Sequence, residues 1–223
     1  MTFLFLRIVF MEFIDSKLDD YVCEHTSHES DLLKELNRET YVKILQPRML
    51  SGHFQGRLLS MLSKMIQPSR ILEIGTYTGY SALCLAEGLA VEGKLTTIDI
   101  NEELEDFTRS YFEKSSFKNN IDYVIGDAME IIPQMDEQFD LVFIDADKSN
   151  YLNYYHLVFE KVKSGGYIFT DNVLWSGKVI EEVKVNDKDT PVILDFNKFV
   201  KNDSRVETIL LPIRDGIMLT RKK

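Results

Sequence analysis

Short apolar runs alternate with amphipathic stretches along most of this 223-residue chain. A polar region from Glu12 to Leu45 comes first and is predicted to be helical. Five β-rich runs follow, and helix-like segments join each run to the next. Such alternation is typical of a doubly wound parallel sheet with right-handed crossovers. The β-rich runs cover residues 70–74, 94–99, 121–125, 139–145 and 165–171, and the helix-like segments cover residues 81–89, 102–115, 128–135 and 148–162.

The C-terminal pattern predicts an antiparallel hairpin. After a last helix near 192–200, two strand-like runs cover 206–213 and 216–222, and only Arg214 and Asp215 separate them. Two residues are too few for a crossover connection, so these strands must be antiparallel. The fold class is therefore α/β, with a mainly parallel, Rossmann-like sheet that ends in a hairpin. We expect one domain over residues 1–223, with 1–10 as a possible upstream extension, 11–67 as an N-terminal helical region and 68–223 as the Rossmann-like core.

Composition narrows the class of protein. A chain that is 44% hydrophobic and 28% charged can bury one substantial core, and no apolar run approaches the roughly 20 residues that span a bilayer. The net charge of −10 would repel a phosphate backbone, and the one basic run is Arg221 to Lys223, so a nucleic-acid partner is not expected. The opening MTFLFLRIVF lacks the basic start and cleavage site of a signal peptide. Two cysteines in separate predicted helices, Cys23 and Cys84, fit a reducing cytoplasm.

The first strand ends in a glycine-containing turn that suggests a nucleoside site. LEIGTYTGYSA runs from Leu72 to Ala82, and Asp99 ends the next strand, 24 residues after Gly75, where its carboxylate can accept both hydroxyls of a ribose. A dinucleotide site would have glycine where this chain has Glu73, whose carboxylate would repel a pyrophosphate. The same carboxylate suits a cationic ligand such as S-adenosylmethionine. The alternative is that the glycines only make a tight strand-to-helix turn.

Oxygen-bearing side chains follow the fourth and fifth strands. FIDAD ends with Asp145, and TDNVLW presents Asp171 and Asn172. Two carboxylates and an amide oxygen from adjacent strand ends suit a divalent cation, Mg²⁺ above all, with Mn²⁺ or Ca²⁺ as alternatives. The competing interpretation is that Asp145 binds a helix N-terminus and that Asp171 and Asn172 form a turn.

Together these motifs resemble the cation-dependent, S-adenosylmethionine-dependent O-methyltransferases, the group of caffeoyl-CoA O-methyltransferase and its bacterial relatives. The resemblance extends from about Asp19 to the C-terminus and implies a class I methyltransferase fold. DNVLWSG is similar to the caffeoyl-CoA branch, in which a tryptophan follows the Asp-Asn pair. The motifs that carry the resemblance are LLKELNRET, PRMLSGHFQGRLL, LEIGTYTGYSA, TIDIN, GDAMEIIPQ, FIDADKSNY, DNVLWSGKV and DGIMLTRK.

The resemblance also implies roles for individual residues. It makes Asp145, Asp171 and Asn172 the metal ligands and Lys148 the catalytic base. It further implies a homodimer, with weak support from apolar residues in the N-terminal third. The implied cofactor contacts are Met49, Glu73, Gly75, Tyr77, Ser81, Asp99, Ala128 and Asp145.

The expected reaction is methyl transfer from S-adenosylmethionine to one hydroxyl of a catechol-type small molecule. A phenol with a pKa near 10 is a poor nucleophile at neutral pH, and a divalent cation that binds two vicinal oxygens would lower that pKa. Arg214 stands where relatives often have glycine, and the stretch 183–192 is shorter than the substrate-recognition insertion of the plant enzymes. We therefore expect free catechols to react at least as well as CoA esters. Two alternatives are a non-catalytic S-adenosylmethionine-binding protein and a nicotinamide-dependent oxidoreductase.

Overall fold

The computed structural model describes residues 15–223, and it contains one mixed sheet of seven strands in the order β3-β2-β1-β4-β5-β7-β6. Strands β1 to β5 are parallel, whereas β7 runs antiparallel to both β5 and β6, which confirms the predicted fold class. The predictions about residues 1–10 and the helical start at Glu12 lie outside the described residues. The strands are β1 Arg70–Ile74, β2 Lys94–Asp99, β3 Ile121–Ile125, β4 Phe139–Ile144, β5 Val162–Thr170, β6 Val206–Leu211 and β7 Ile217–Lys222.

Eight α-helices lie within the described residues, and three of them precede the first strand. Within residues 15–223, no helix is long and apolar enough to cross a membrane. The helices are α1 Ser16–Glu24, α2 Asp31–Lys43, α3 Gly52–Ile66, α4 Tyr80–Ala86, α5 Glu105–Lys114, α6 Ala128–Ile131, α7 Tyr151–Phe159 and α8 Asp189–Asn202, with short 3-10 segments at Pro47–Met49, Glu102–Leu104, Ile132–Gln134, Lys148–Asn150 and Trp175–Ile180.

The predicted boundary between the helix at 148–162 and the fifth strand was wrong. Helix α7 ends at Phe159, and β5 already begins at Val162 instead of at residue 165. The strand pairing shifts register between Phe139, which pairs with Val162, and Leu141, which pairs with Tyr167. The glycine pair at 165–166 therefore lies in an irregular part of the strand and does not start it, as is common where glycine interrupts a strand.

Helices cover both faces of the sheet, so the alternating side chains of the central strands all become buried. On β4, Val142 and Ile144 pack into a core with α7 and α8, whereas Leu141 and Phe143 pack into a second core with α3 and α4. A parallel sheet covered on both faces requires such continuously apolar strands. The strand order reverses between β1 and β4, and in sheets of this kind ligands bind beyond the carboxyl ends of the strands at that point.

Candidate active site

A cavity of about 1210 Å³ opens at the carboxyl edge of the parallel strands. Glu73 and Ser81 are buried and are not among the residues that line it. We call the part at the ends of β1, β2 and β3 the cofactor end, and the part at the ends of β4 and β5 the metal end. The cavity brings together the other nine predicted site residues, which are Met49, Gly75, Tyr77, Asp99, Ala128, Asp145, Lys148, Asp171 and Asn172.

Gly75 allows the ends of β1 and β4 to approach closely. Its φ is +97°, and a Cβ built on it would lie 1.9 Å from the backbone oxygen of Asp145. No side chain fits at that distance, and the left-handed backbone independently favours glycine. Glycine at this position therefore allows the end of β1, in the cofactor end, to pack directly against the backbone of Asp145, in the metal end.

Asp99 fixes the loop that follows β1. One carboxylate oxygen, Oδ2, accepts hydrogen bonds from the backbone amides of Thr76 at 2.9 Å and Tyr77 at 2.7 Å. The other, Oδ1, accepts from the amide of Asn101 at 2.9 Å. A carboxylate offers about four acceptor sites, so about one site, on Oδ1, remains for a ribose hydroxyl while Asp99 holds the loop in shape.

Glu73 occupies a fully buried position in the middle of the sheet. Burial raises the pKa of its carboxyl group to about 8, although the hydroxyls of Ser81 and Thr97 oppose the shift. Thr97 donates a hydrogen bond to Oε2 at 2.5 Å, and Oε1 has no hydrogen-bond partner among residues 15–223. A buried acceptor without a partner is costly, and a cationic donor would satisfy it. The direct contact of Glu73 with the cofactor, like that of Ser81, stays a prediction.

A short segment covers the cofactor end from the N-terminal side. It comprises Gln46 and the 3-10 turn that ends at Met49, whose side chain is half exposed and lines the cavity. The Tyr77 hydroxyl donates to the backbone oxygen of Gln46 at 2.9 Å and so ties this segment to the glycine loop. At the third strand end, Ala128 opens helix α6, and Asp127 caps this helix by accepting from the amide of Met129.

Asp145 and Asp171 lie side by side because their strands are paired. Ile144 of β4 pairs with Thr170 of β5, and the amide of Asp171 donates to the Ile144 backbone oxygen at 3.0 Å. Only 3% of Asp171 is exposed. Burial and the Asp145 carboxylate raise the pKa of Asp171 to about 7. Two such close carboxylates create a negative site that favours a cation.

The Lys148 side chain reaches the point where the predicted ligand oxygens converge. Its ammonium donates to Asn172 Oδ1 at 2.6 Å, lies 3.4 Å from Asp145 Oδ1 and contacts the Tyr151 hydroxyl. Asn172 has a left-handed backbone, with φ of +56°. A positive charge therefore already sits among the oxygen atoms that were predicted to hold a metal.

Several residues at this end were missed by the sequence analysis. Gln55 donates from Nε2 to Asp171 Oδ2, and Arg214 contacts Gln55 in turn. Asp147 lines the cavity and accepts from the Tyr154 hydroxyl at 2.7 Å. Gln55 and Asp147 lie within motifs that carry the resemblance, but no spacing in those motifs indicates their contacts at the metal end. Within residues 15–223, no cluster of three or more His, Cys, Asp or Glu side chains is arranged to hold a metal, and the predicted ligand set contains only two carboxylates, with an amide as its third member.

Trp175 forms part of the cavity wall next to the predicted ligands. It has φ of +48°, and Ser176 and Gly177 are also left-handed, so the chain turns sharply there. The ammonium groups of Lys148 and Lys178 lie 5.8 Å and 5.5 Å from the indole ring. Both ammonium groups are within the distance at which a cation is attracted to an aromatic ring.

Comparisons with known proteins agree with this geometry. The sequence model of the O-methyltransferase family matches residues 23–223. Caffeoyl-CoA O-methyltransferase 1 of Nicotiana tabacum is 36% identical over 92% of this chain and 91% of its own length. The fold superposes on an O-methyltransferase from Bacillus cereus in complex with S-adenosylhomocysteine, with a TM-score of 0.86 and 29% identity over 93% of this chain and 97% of that one. It also superposes on the O-methyltransferase TomG from Streptomyces achromogenes in complex with S-adenosylmethionine, with a TM-score of 0.84 and 26% identity over 93% and 96% of the two chains.

The matches extend over almost the whole chain and include both the cofactor end and the metal end. They confirm the resemblance drawn from the motifs and the class I methyltransferase fold, and they give no support to the nicotinamide-dependent alternative. The chain belongs to the O-methyltransferase family and is an S-adenosylmethionine-dependent O-methyltransferase of the caffeoyl-CoA O-methyltransferase type.

Proposed function

We propose that this enzyme methylates one hydroxyl of a catechol-type small molecule and requires a divalent cation to do so. The observation that carries the proposal is the convergence of Asp145, Asn172 and Lys148 beside the buried Asp171, in the same cavity as Asp99. A protein that only bound S-adenosylmethionine would need neither Lys148 nor the Asp171–Asn172 pair.

The residues at the metal end fit a cation by their chemistry. Two carboxylates and a neutral amide supply hard oxygen ligands with a total charge of −2, which balances a divalent ion. The Lys148 ammonium contacts two of these side chains, so the same oxygens already attract positive charge. Mg²⁺ suits such a set best, and Mn²⁺ or Ca²⁺ could replace it.

Lys148 is the proposed base. Its Nζ lies within 3.4 Å of oxygens from Asp145 and Asn172, so a substrate hydroxyl that reaches those side chains also comes within reach of the amine. When bound, the cation supplies the positive charge that lowers the pKa of a phenol and orients vicinal hydroxyls. Lys148 in its neutral form takes the phenol proton, and Trp175 provides a wall against which the aromatic ring lies. The residues of the cofactor end would hold the methyl donor, and a substrate hydroxyl at the metal end of the same cavity would then be positioned to accept the methyl group.

A comparison of three substrates tests the proposal. Caffeic acid has vicinal hydroxyls, p-coumaric acid has one hydroxyl, and caffeoyl-CoA carries the ester named in the plant relatives. We expect kcat/KM for caffeic acid to equal or exceed that for caffeoyl-CoA, because the net charge of −10 disfavours a polyanionic CoA tail. We expect no turnover of p-coumaric acid. Comparable turnover of p-coumaric acid would refute the catechol requirement, and a strong preference for the CoA ester would refute the specificity argument.

We also propose that the enzyme forms a homodimer. Met61 and Met65 are exposed on α3, and Met65 lines a groove together with Leu62 and Ile209. An exposed apolar surface of this kind suits association with a second copy. Light scattering at micromolar concentration should give twice the chain mass of 25.9 kDa, and a monomer would contradict the proposal. The cytoplasmic location likewise stays a prediction.

A further inference from the structure

The carboxylate of Asp171 is held by two amide groups. Its Oδ1 accepts a hydrogen bond from the backbone amide of Asn172 at 2.7 Å, and its Oδ2 accepts one from Gln55 Nε2 at 2.5 Å. Each carboxylate oxygen has a second lone pair, so both remain able to bind a cation. The amides fix the plane of the carboxylate without occupying all of its acceptor capacity.

Gln55 can fix Asp171 only if its side-chain amide keeps one orientation. Arg214 Nη1 lies 3.4 Å from Gln55 Oε1, on the side of the amide away from Asp171. The guanidinium is a donor only, and the ionised carboxylate is an acceptor only. A rotated amide would direct its oxygen at the carboxylate and its NH₂ group at the guanidinium, which loses both hydrogen bonds. Gln55 is 1% exposed, so little of its amide is open to water that could replace these hydrogen bonds.

Arg214 is itself held firmly in an unusual backbone conformation. Its φ is +48°, a region that disfavours residues with a side chain. The guanidinium nitrogen Nη1 also lies within hydrogen-bond distance of the backbone oxygens of Leu50, at 2.9 Å, and of Ser51, so its two N–H groups are shared among three acceptors. The turn between β6 and β7 is thereby tied to the start of α3, the helix that carries Gln55.

We propose that Gln55 is a positioning residue that fixes the Asp171 carboxylate for cation binding, and that Arg214 acts on Asp171 through Gln55. The proposal rests on the proposed use of a divalent cation. It predicts that substitution of either residue weakens cation binding and leaves the cofactor end unaffected, because Asp99 and its loop share no hydrogen bond with Gln55 among the interactions of residues 15–223.

The experiment measures Mn²⁺ binding in the absence of substrate, from the loss of the electron paramagnetic resonance signal of free Mn²⁺. Gln55→Met keeps the length of the side chain and removes its donor and acceptor. We expect the Mn²⁺ Kd to rise by about 10- to 100-fold, the usual effect of losing a residue that orients a metal ligand. Met61→Ala, on the exposed face of the same helix, is the matched control and should leave this Kd unchanged.

A double-mutant cycle distinguishes positioning from a general structural role. Arg214→Gly removes the guanidinium at a position where the left-handed backbone suits glycine, and it should raise the Mn²⁺ Kd of the wild-type protein. In the Gln55→Met background the same substitution should cause no further rise in the Mn²⁺ Kd, because the hydrogen bond from Gln55 to Asp171 is already absent. Independent, additive effects of the two substitutions would overturn the role of Arg214.

Calorimetric titration with S-adenosylhomocysteine reports separately on the fold and the cofactor end. Its Kd should stay within about threefold of wild type in every variant, since none touches Asp99. An unchanged Mn²⁺ Kd in Gln55→Met, or an equal loss of both ligands, would overturn the proposal. If Gln55→Met does not fold, Arg214→Gly alone decides, and an unchanged Mn²⁺ Kd in that variant refutes the proposal. Wild-type protein that binds no Mn²⁺ would instead refute the proposed function, and this inference with it.

Discussion

The two ends of the cavity hold their carboxylates in different ways. At the cofactor end, Asp99 accepts hydrogen bonds from three backbone amides that lie at most 23 residues away in the sequence. At the metal end, Asp171 depends on the side chain of Gln55, which is 116 residues away and contacts Arg214 in its turn. The cofactor end is therefore built by the local path of the backbone, whereas the metal end is built by distant side chains that meet only in the folded protein.

The two ends also differ in charge balance. The Asp99 carboxylate accepts hydrogen bonds from three neutral backbone amides. At the metal end the Lys148 ammonium lies 3.4 Å from Asp145 Oδ1, and burial and the nearby Asp145 carboxylate raise the pKa of Asp171. Ligand binding at the two ends should therefore be separable by mutation, because within residues 15–223 no side chain hydrogen-bonds to both Asp99 and Asp171.

The largest expected effects on the rate of methyl transfer come from substitutions of the predicted metal ligands. Asp171→Ala or Asp145→Ala should lower methyl transfer by at least about 10³-fold, because two negative charges are needed to hold the cation that activates the phenol. S-adenosylhomocysteine should still bind within about tenfold of wild type, since the first strand ends hold the cofactor. Initial rates with caffeic acid and calorimetric titration of S-adenosylhomocysteine measure the two quantities.

The reciprocal variant sharpens this prediction. Asp99→Ala should weaken S-adenosylhomocysteine binding and leave Mn²⁺ binding near the wild-type value, the opposite pattern to Asp171→Ala. Loss of both ligands in either variant would show that the two ends are not independent. Methyl transfer that persists undiminished after exhaustive chelation would contradict the use of a metal altogether.

The next largest effect is expected for the base. Lys148→Ala should lower kcat by on the order of 10²-fold or more, the usual scale for a positioned base, and change KM for the catechol far less. Lys148→Arg is the matched variant, since it keeps a positive charge beside Asp145 and Asn172 but cannot accept a proton. Activity of Lys148→Arg close to wild type would mean that charge, and not proton transfer, is the contribution of this residue.

The difference between the two ends also explains what could be predicted from the sequence. The bounds of β1, β2 and β3 agree with the predicted runs to the residue, because turn residues border each run and the motifs at their ends are local. Gln55 and Arg214 had no such signal. An amide on a helix and an arginine in a turn have no spacing that reveals partners more than 100 residues away.

Glu73 illustrates a second limit of the sequence analysis. Its carboxylate was assigned an ionised role next to a cationic ligand, and the structure shows a fully buried group whose pKa is raised to about 8. The position of Glu73 within its strand was the feature that indicated this burial. Residue 73 lies inside β1, which has a neighbouring strand on each side and helices over both faces, so its side chain had to be buried.

This burial gives a prediction about stability and pH. Between its ordinary pKa of 4.5 in the unfolded chain and about 8 in the folded protein, Glu73 keeps a proton that the unfolded chain releases. Since the unfolded state then binds fewer protons, Glu73 makes the free energy of unfolding fall as pH rises through this range, by about 1.4 kcal/mol per pH unit. Glu73→Gln should remove that contribution, so the variant gains stability relative to wild type from pH 5 to pH 8.

Denaturant titrations of both proteins at pH 5, 6, 7 and 8 measure the difference. The Asp171 carboxyl group contributes to the pH dependence of both proteins alike, so the comparison isolates Glu73. Parallel curves would show that Glu73 has the same pKa in the folded and unfolded states, and they would remove the reason for assigning it a buried, protonated form.

The smallest expected effect concerns the segment that covers the cofactor end. It tests whether this segment affects cofactor binding and leaves cation binding unchanged. Tyr77→Phe removes the hydrogen bond from the tyrosine hydroxyl to the Gln46 backbone oxygen and keeps the ring. Because one neutral hydrogen bond contributes about 0.5–1.5 kcal/mol, the Kd of S-adenosylhomocysteine should rise about two- to tenfold. The Mn²⁺ Kd should not change, because Asp171 accepts its side-chain hydrogen bond from Gln55, which Arg214 contacts, and Tyr77 takes part in neither contact. A matching rise in the Mn²⁺ Kd, measured by the same resonance signal, would mean that the segment from Gln46 to Ser51 transmits its position to the metal end, and the two ends would then have to be treated as one site.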